Sequence, residues 1–263
     1  KPANGTIAPD YVKSQIRNYL KDYIALPNRI EVQDPDYFYV YVNTNVQYDS
    51  KRTTNSLSTI KTSILNSVVN YSKMNLEMFG NDLRYSRLTS DIDNSDTSVT
   101  SNQTELRLIK RLAPKLLYAT SQTLNMENQI YVETGTVAVN IPHTELYITT
   151  YDIHFEHASV ISDKFTWVAD DGTNYDYSYI ADDGIGNVKI YSSLNGKIVP
   201  LMVIGTVDYI NGIIQINNLT VSNYSNYISL YVKTVDSDLY AKNDKIIIID
   251  STDVSINVTT VKN

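Results

Sequence analysis

The chain contains no cysteine, which excludes a disulfide framework, a thiolate metal site and a cysteine nucleophile. It holds no apolar run near the roughly 18 residues that a membrane-spanning helix requires, and Lys1-Pro2 is followed by no signal-like hydrophobic stretch. These absences predict a soluble piece of a longer chain, made in a reducing compartment and stable without cross-links. No Gly-x-Ser-x-Gly elbow, phosphate-cradling glycine loop, dinucleotide fingerprint or zinc-helix motif occurs. Catalytic residues, cofactors and metals are accordingly predicted to be none. Basic residues are scarce in one half only: residues 1–126 hold 15 Lys+Arg against 12 Asp+Glu, or +3, whereas residues 127–263 hold 7 against 17, or −10. Such a field repels nucleic acid and anionic membrane, so neither is expected as a partner.

What is present is enough for a core. The 263 residues are 42% hydrophobic, and the charge change near Met126 suggests two domains, 1–126 and 127–263. Pro9-Asp10 can open a helix in which Val12, Ile16, Tyr19/Leu20 and Tyr23/Ile24 share one face before Pro27-Asn28 stops it. Residues 37–48 read as a strand with Phe38, Val40 and Val42 on one side and Tyr37, Tyr39 and Tyr41 on the other. Leu57, Ile60, Ile64, Val68 and Tyr71 form the stripe of a helix over residues 55–78, capped by Asn55 and ended by Gly80 in the left-handed conformation. A polar loop and a charged strand through Leu106, Leu108 and Leu112 follow. The helical period then vanishes, and Asp171-Gly172, Asp183-Gly184, Asn195-Gly196 and Asn211-Gly212 mark hairpins. The expected fold class is α+β: an amino-terminal α+β domain with two main helices packed on a mixed sheet, followed by a mostly antiparallel β domain.

Three constellations compete with blander explanations. His154-Phe155-Glu156-His157 would place His157 on the opposite strand face from His154 and Glu156, a poor metal site, and surface side chains explain it better. Asp91, Asp93 and Asp96 resemble the opening of a calcium loop, but its sixth position is Asp96 where glycine belongs and its twelfth is Asn102 in place of glutamate. Arg107, Lys110, Arg111 and Lys115 form a basic patch that suits a solvated strand face or a contact with acidic residues of a neighbour. Tyrosine is abundant, 22 against 4 phenylalanines and 1 tryptophan, and supplies contact area at small entropic cost where proteins meet. Tyr37, Tyr39 and Tyr41, with Arg107, Lys110 and Arg111, are therefore the candidate interface residues; Tyr175, Tyr177 and Tyr179 form a similar group on a later strand.

The order of these pieces carries a resemblance. An Asp34-Pro35-led tyrosine strand, a helix, the run Phe79-Gly80-Asn81-Asp82-Leu83-Arg84-Tyr85-Ser86-Arg87-Leu88-Thr89-Ser90-Asp91-Ile92-Asp93 and a basic strand together resemble the baseplate wedge family of contractile-tailed bacteriophages, of the T-even, baseplate-J-like type. Ile204-Gly205-Thr206-Val207-Asp208-Tyr209-Ile210-Asn211-Gly212, a strand running into a hairpin, resembles the same family. The resemblance implies the carboxy-terminal part of a structural subunit that is not an enzyme. It further implies pairing with itself as a homodimer, binding to other baseplate wedge subunits, and an inner ring around the central hub that widens when the tail contracts. Such a protein is assembled in host cytoplasm and ends in the tail baseplate of the virion. Two other classes stay open: a host-receptor or carbohydrate-binding tail module, and a cell-wall hydrolase of the tail tip.

Overall fold

A computed structural model describes residues 8–23, 29–132, 148–149, 152–153, 158–194, 197–242 and 245–261. One of the two long strands of the sheet, β1 (Asp36–Tyr48), alternates as its sequence requires: Phe38, Val40, Val42 and Val46 are fully buried, and the tyrosines between them face the other way. Against the buried side lies α2 (Leu57–Tyr71), whose Ile60, Ile64, Val68 and Tyr71 are buried. Each fully buried aliphatic side chain on this face contributes about 1.5–3 kcal/mol.

The cap of α2 is Ser56, one residue beyond the expected Asn55; its hydroxyl accepts the Thr59 N–H at 3.2 Å. The helix also ends early. At Ser72–Leu76 the chain widens into a π-turn, with the Glu77 N–H reaching the Ser72 carbonyl at 3.2 Å. The buried Ser72 hydroxyl accepts the Ile249 N–H at 2.9 Å, which ties the helix end to a segment far along the chain. Gly80 adopts φ 75°, four residues beyond this turn, and so shapes the loop after the helix. A nine-residue helix, α3 (Tyr85–Asp93), buries Leu88 and Ile92 beside α2. The first helix, α1 (Asp10–Lys21), forms where Pro9-Asp10 predicts it but buries none of its residues; Lys13 holds it to Asp34.

Long-range pairing decides the rest. β2 (Val99–Leu112) lies antiparallel to β1, with Tyr39 opposite Ile109 and Tyr41 opposite Arg107. On its other side β1 is parallel to two strands in tandem, β14 (Lys245–Ile248) and β15 (Val254–Thr260), separated by a 3₁₀ turn at Ser251–Asp253. Beyond β2 the sheet continues through β13 (Ile228–Val232), β6 (Val160–Ser162), β8 (Asn174–Asp182), β9 (Asn187–Leu194), β10 (Lys197–Asp208), β11 (Ile213–Leu219) and β3 (Thr120–Asn125). β7 (Phe165–Val168) joins β8 and β12 (Val221–Asn223), and a separate pair, β4 (Ile148–Thr149) and β5 (Asp152–Ile153), completes the described strands.

This overturns the expected α+β fold class. Thirteen strands drawn from both halves of the chain form one mixed, mainly antiparallel sheet, with three short helices among the described residues. The first half is not a helix-plus-sheet domain, because β2 continues directly into β13 and β1 takes its parallel neighbours from the far end of the sequence. Period alone reveals strands and helices but not which strands pair.

The hairpin signals act as their chemistry demands. Gly172, Gly184 and Gly212 take φ of 82°, 73° and 66° at the β7–β8, β8–β9 and β10–β11 turns; Asn195-Gly196 lies outside the described residues. Gly205 serves a different need, since a Cβ there would sit 1.8 Å from the Gln215 carbonyl oxygen. Only hydrogen fits between β10 and β11 at that point.

Candidate interaction surface

The side of β1 turned away from α2 carries Tyr37, Tyr39 and Tyr41. Tyr37 and Tyr39 sit with their ring centroids 6.2 Å apart and pack with Ile246 and Ile248 of β14. Tyr41 meets Tyr231 of β13 edge to face at 5.6 Å. Farther along, Ile161, Ala181 and Tyr191 continue an apolar belt against which Tyr231 packs. Burial raises the pKa of Tyr37 and of Tyr231, and pushes Tyr191 up to about 12. These phenols stay neutral across physiological pH, as rings that present area with a polar tip do.

The basic patch does not hold together as a patch. Register places Arg107 and Arg111 on the tyrosine side of β2 and Lys110 on the opposite side, facing the Phe38 ring at 5.7 Å. Arg107 is 2% exposed; it pairs with Glu105 at 2.9 Å and donates to the Ala158 carbonyl at 3.3 Å. Burial lowers its pKa, while Glu105 acts to raise it. Lys110 pairs with Asp36 at 2.7 Å. Lys115 sits apart from all three, over the Tyr118 ring at 3.9 Å.

Arg111 makes the most elaborate arrangement. Its guanidinium lies 3.7 Å from the centre of the Tyr39 ring and 4.4 Å from that of Tyr227, and it pairs with Asp253 at 2.8 Å. Its Nε is buried without a hydrogen-bond partner among the described residues. Asp253 comes from the 3₁₀ turn between β14 and β15, so this contact clasps the tandem strands to β2 across β1. Burial pushes the Asp253 carboxyl up to about 6; Arg111 opposes the rise, and Asp250 and Asp163 add to it. Sequence reading missed Asp253 and Tyr227, and no local pattern marks either one.

The remaining candidates resolve individually. Asp96 accepts from the Ser98 N–H at 2.8 Å and from Asn55 at 2.9 Å, and Asp93 accepts from Asn102 at 2.7 Å, so both acids tie the chain locally. Among the described residues no group of three metal-ligating side chains gathers. The three histidines, including the pair in His154-Phe155-Glu156-His157, lie outside the described residues. Tyr175 stacks on Trp167 at 5.5 Å and Tyr179 is buried, while Tyr177, at φ 58°, is 59% exposed, so of the trio only Tyr177 is fully open to solvent. An open hollow of about 210 Å³ is lined by Glu105, Tyr131, Lys233 and Asp236, among others. Within it Glu105 is turned onto Arg107, and Lys233 lies over the Tyr131 ring at 4.3 Å.

Fold and surface together define a β-sheet scaffold: a broad sheet, a tyrosine-lined face on which Tyr37 is buried and Tyr39 and Tyr41 are half-buried, internally neutralised cations, and no metal cluster among the described residues. Residues 36–111, which span β1, α2, α3 and β2, match the family model described as baseplate structural protein gp6, C-terminal domain III. The chain is also similar to the baseplate wedge protein gp6 of Enterobacteria phage T4, 23% identical over 112 residues, which is 43% of this chain and 17% of that protein. Both matches support a relationship to phage baseplate wedge proteins, and the chain spans well under two thirds of the length of the relative it matches. The matched block contains every candidate interface residue. The Ile204 to Gly212 stretch lies beyond the family match at residues 36–111.

Proposed function

We propose that this chain is a structural part of a phage tail baseplate wedge, acting by self-association and by binding other wedge subunits in an inner ring around the central hub. In this reading it performs no catalysis, binds neither nucleic acid nor membrane, is assembled in host cytoplasm and shifts position when the tail contracts. The match of residues 36–111 to a baseplate structural family carries the reading, because that block is the one that presents Tyr37, Tyr39 and Tyr41. The contact surface proposed is this tyrosine face together with Arg111, supported from beneath by Arg107, which is itself buried, with Lys110 contributing from the helix side of β2. Supporting it is the chemistry: the cations are already paired internally, so the half-buried rings of Tyr39 and Tyr41 are what this face offers a neighbour. Division into units 1–126 and 127–263 is kept in the proposal as a change of surface charge between two parts of one sheet, since β1, β2 and β3 pair with β14, β15, β13 and β11 across it; limited proteolysis that releases two separately folded fragments at Met126 would refute this.

The test is association. Light scattering of the chain at tens of micromolar should give twice the monomer mass, and replacing Tyr39 and Tyr41 together by serine should weaken capture of co-expressed wedge subunits at least tenfold. Capture unchanged by that double substitution would remove the tyrosine face from the proposal.

A further inference from the structure

β15 is an outer strand of the sheet. Its register runs from Val42 opposite Val254 to Tyr48 opposite Thr260, and among the described residues no other strand pairs with it. The Val261 N–H donates to the Tyr48 carbonyl at 3.0 Å. In a parallel ladder alternate residues turn both backbone groups towards the same neighbour, so the odd-numbered residues of β15 bond β1. Val254, Ile256, Val258 and Thr260 therefore aim their N–H and C=O groups outward, away from β1.

Exposed edges are ordinarily blunted by a charge, a proline or a bulge. β15 has none of these: it reads Val-Ser-Ile-Asn-Val-Thr-Thr, and its register with β1 is unbroken. α2, which packs over it, carries a single charge, Lys61, in a chain that is 19% charged. Depletion of charge around an open row of backbone donors and acceptors is the composition of an interface centre.

The strand also fits a copy of itself. Turned antiparallel about Asn257, β15 would set Ile256 against Val258, Val254 against Thr260 and Ser255 against Thr259. The residues so paired by hydrogen bonds are the four whose backbone groups point outward. The side chains of Val254, Ile256 and Val258 pack into the core beside α2, so apolar residues would meet apolar ones on that side, with Ser255, Asn257 and Thr259 on the other. We propose that the β15 edge pairs with β15 of a second copy across a twofold axis at Asn257, joining the two sheets into one. This rests on the self-association reading above and names a surface for it, distinct from the tyrosine face.

The absence of cysteine makes a clean test. At the centre of such a pair Asn257 faces its own symmetry mate as a non-hydrogen-bonded pair, with Cα atoms about 4.5 Å apart, inside the window for a disulfide. Asn257→Cys should therefore give a covalent dimer on mild oxidation. Ser255→Cys, whose mate is displaced by four residues or about 13 Å, should cross-link at least tenfold more slowly alone and rapidly when mixed with Thr259→Cys. Asn257→Lys should yield monomer, and mixing it with Asn257→Asp should restore pairing between unlike chains. A dimer by light scattering in which Cys introduced at 257 links no faster than at 255 overturns the edge pairing and leaves self-association standing. A strict monomer without cross-linking overturns both.

Discussion

Asp253 offers a measurement in which the sign alone decides the argument. Its carboxyl is buried in the 3₁₀ turn between β14 and β15, pairs with Arg111 at 2.8 Å, and has a pKa raised from 3.8 to about 6. Burial disfavours the carboxylate more than Arg111 favours it, with Asp250 and Asp163 adding repulsion. An acid whose folded pKa exceeds its unfolded value binds its proton more tightly in the native state. Its contribution to stability is thus complete below about pH 3.8 and is lost as pH rises through about 6. A difference of about 2 pH units is worth about 3 kcal/mol at 1.36 kcal/mol per unit, of which about 2–3 kcal/mol falls between pH 4 and pH 7.5. Asp253→Asn keeps the shape and stays neutral throughout. Urea unfolding of both proteins at the two pH values cancels every other titration in the difference, and the wild type should lose about 2–3 kcal/mol relative to the variant on going to pH 7.5. If the variant instead loses ground as pH rises, the ion pair with Arg111 outweighs burial and the reasoning fails.

Three further outcomes follow from single contacts. Ile64→Ala, at a fully buried position of α2, should cost about 2–5 kcal/mol in urea unfolding. Gly205→Ala places a Cβ 1.8 Å from the Gln215 carbonyl and should cost about 3 kcal/mol, whereas Gly172→Ala, with open space but φ +82°, should cost about 1 kcal/mol; equal losses in thermal melts would show that sterics at the β10–β11 approach are not limiting. Tyr209→Phe removes the hydroxyl that donates to the buried Asp182 at 2.7 Å and should lower stability by about 1–2 kcal/mol, a loss that Asp182→Asn in the same background should reduce.

The Arg111 clasp and the β15 edge share one strand. β1 receives α2 on one face, tyrosines on the other, β2 on one edge and the tandem β14–β15 pair on the second. A force applied to the proposed contacts at the tyrosine face or the β15 edge would therefore be carried by the same hydrogen-bonded ladder.

Sequence by itself determined the local structure of this protein. Alternation separated Phe38, Val40 and Val42 from Tyr37, Tyr39 and Tyr41, and the four-residue spacing of Ile60, Ile64 and Val68 fixed the buried stripe of α2, because side-chain direction follows from backbone geometry alone. The same alternation applied to residues 107–111 would have placed Lys110 on the opposite face from Arg107 and Arg111, a signal present but unused. Three of the four Asn-Gly and Asp-Gly turns were legible because they need positive φ. Tertiary structure alone decided which strands meet. Nothing near Asp36 announces that its strand will lie parallel to residues some two hundred positions later, and so nothing foretold that both halves would share one sheet, that Arg107 would be buried, or that Asp253 would close over Arg111. Pairing between distant strands is selected by the summed burial and hydrogen bonding of the whole sheet, and that sum is not written in any one window of sequence.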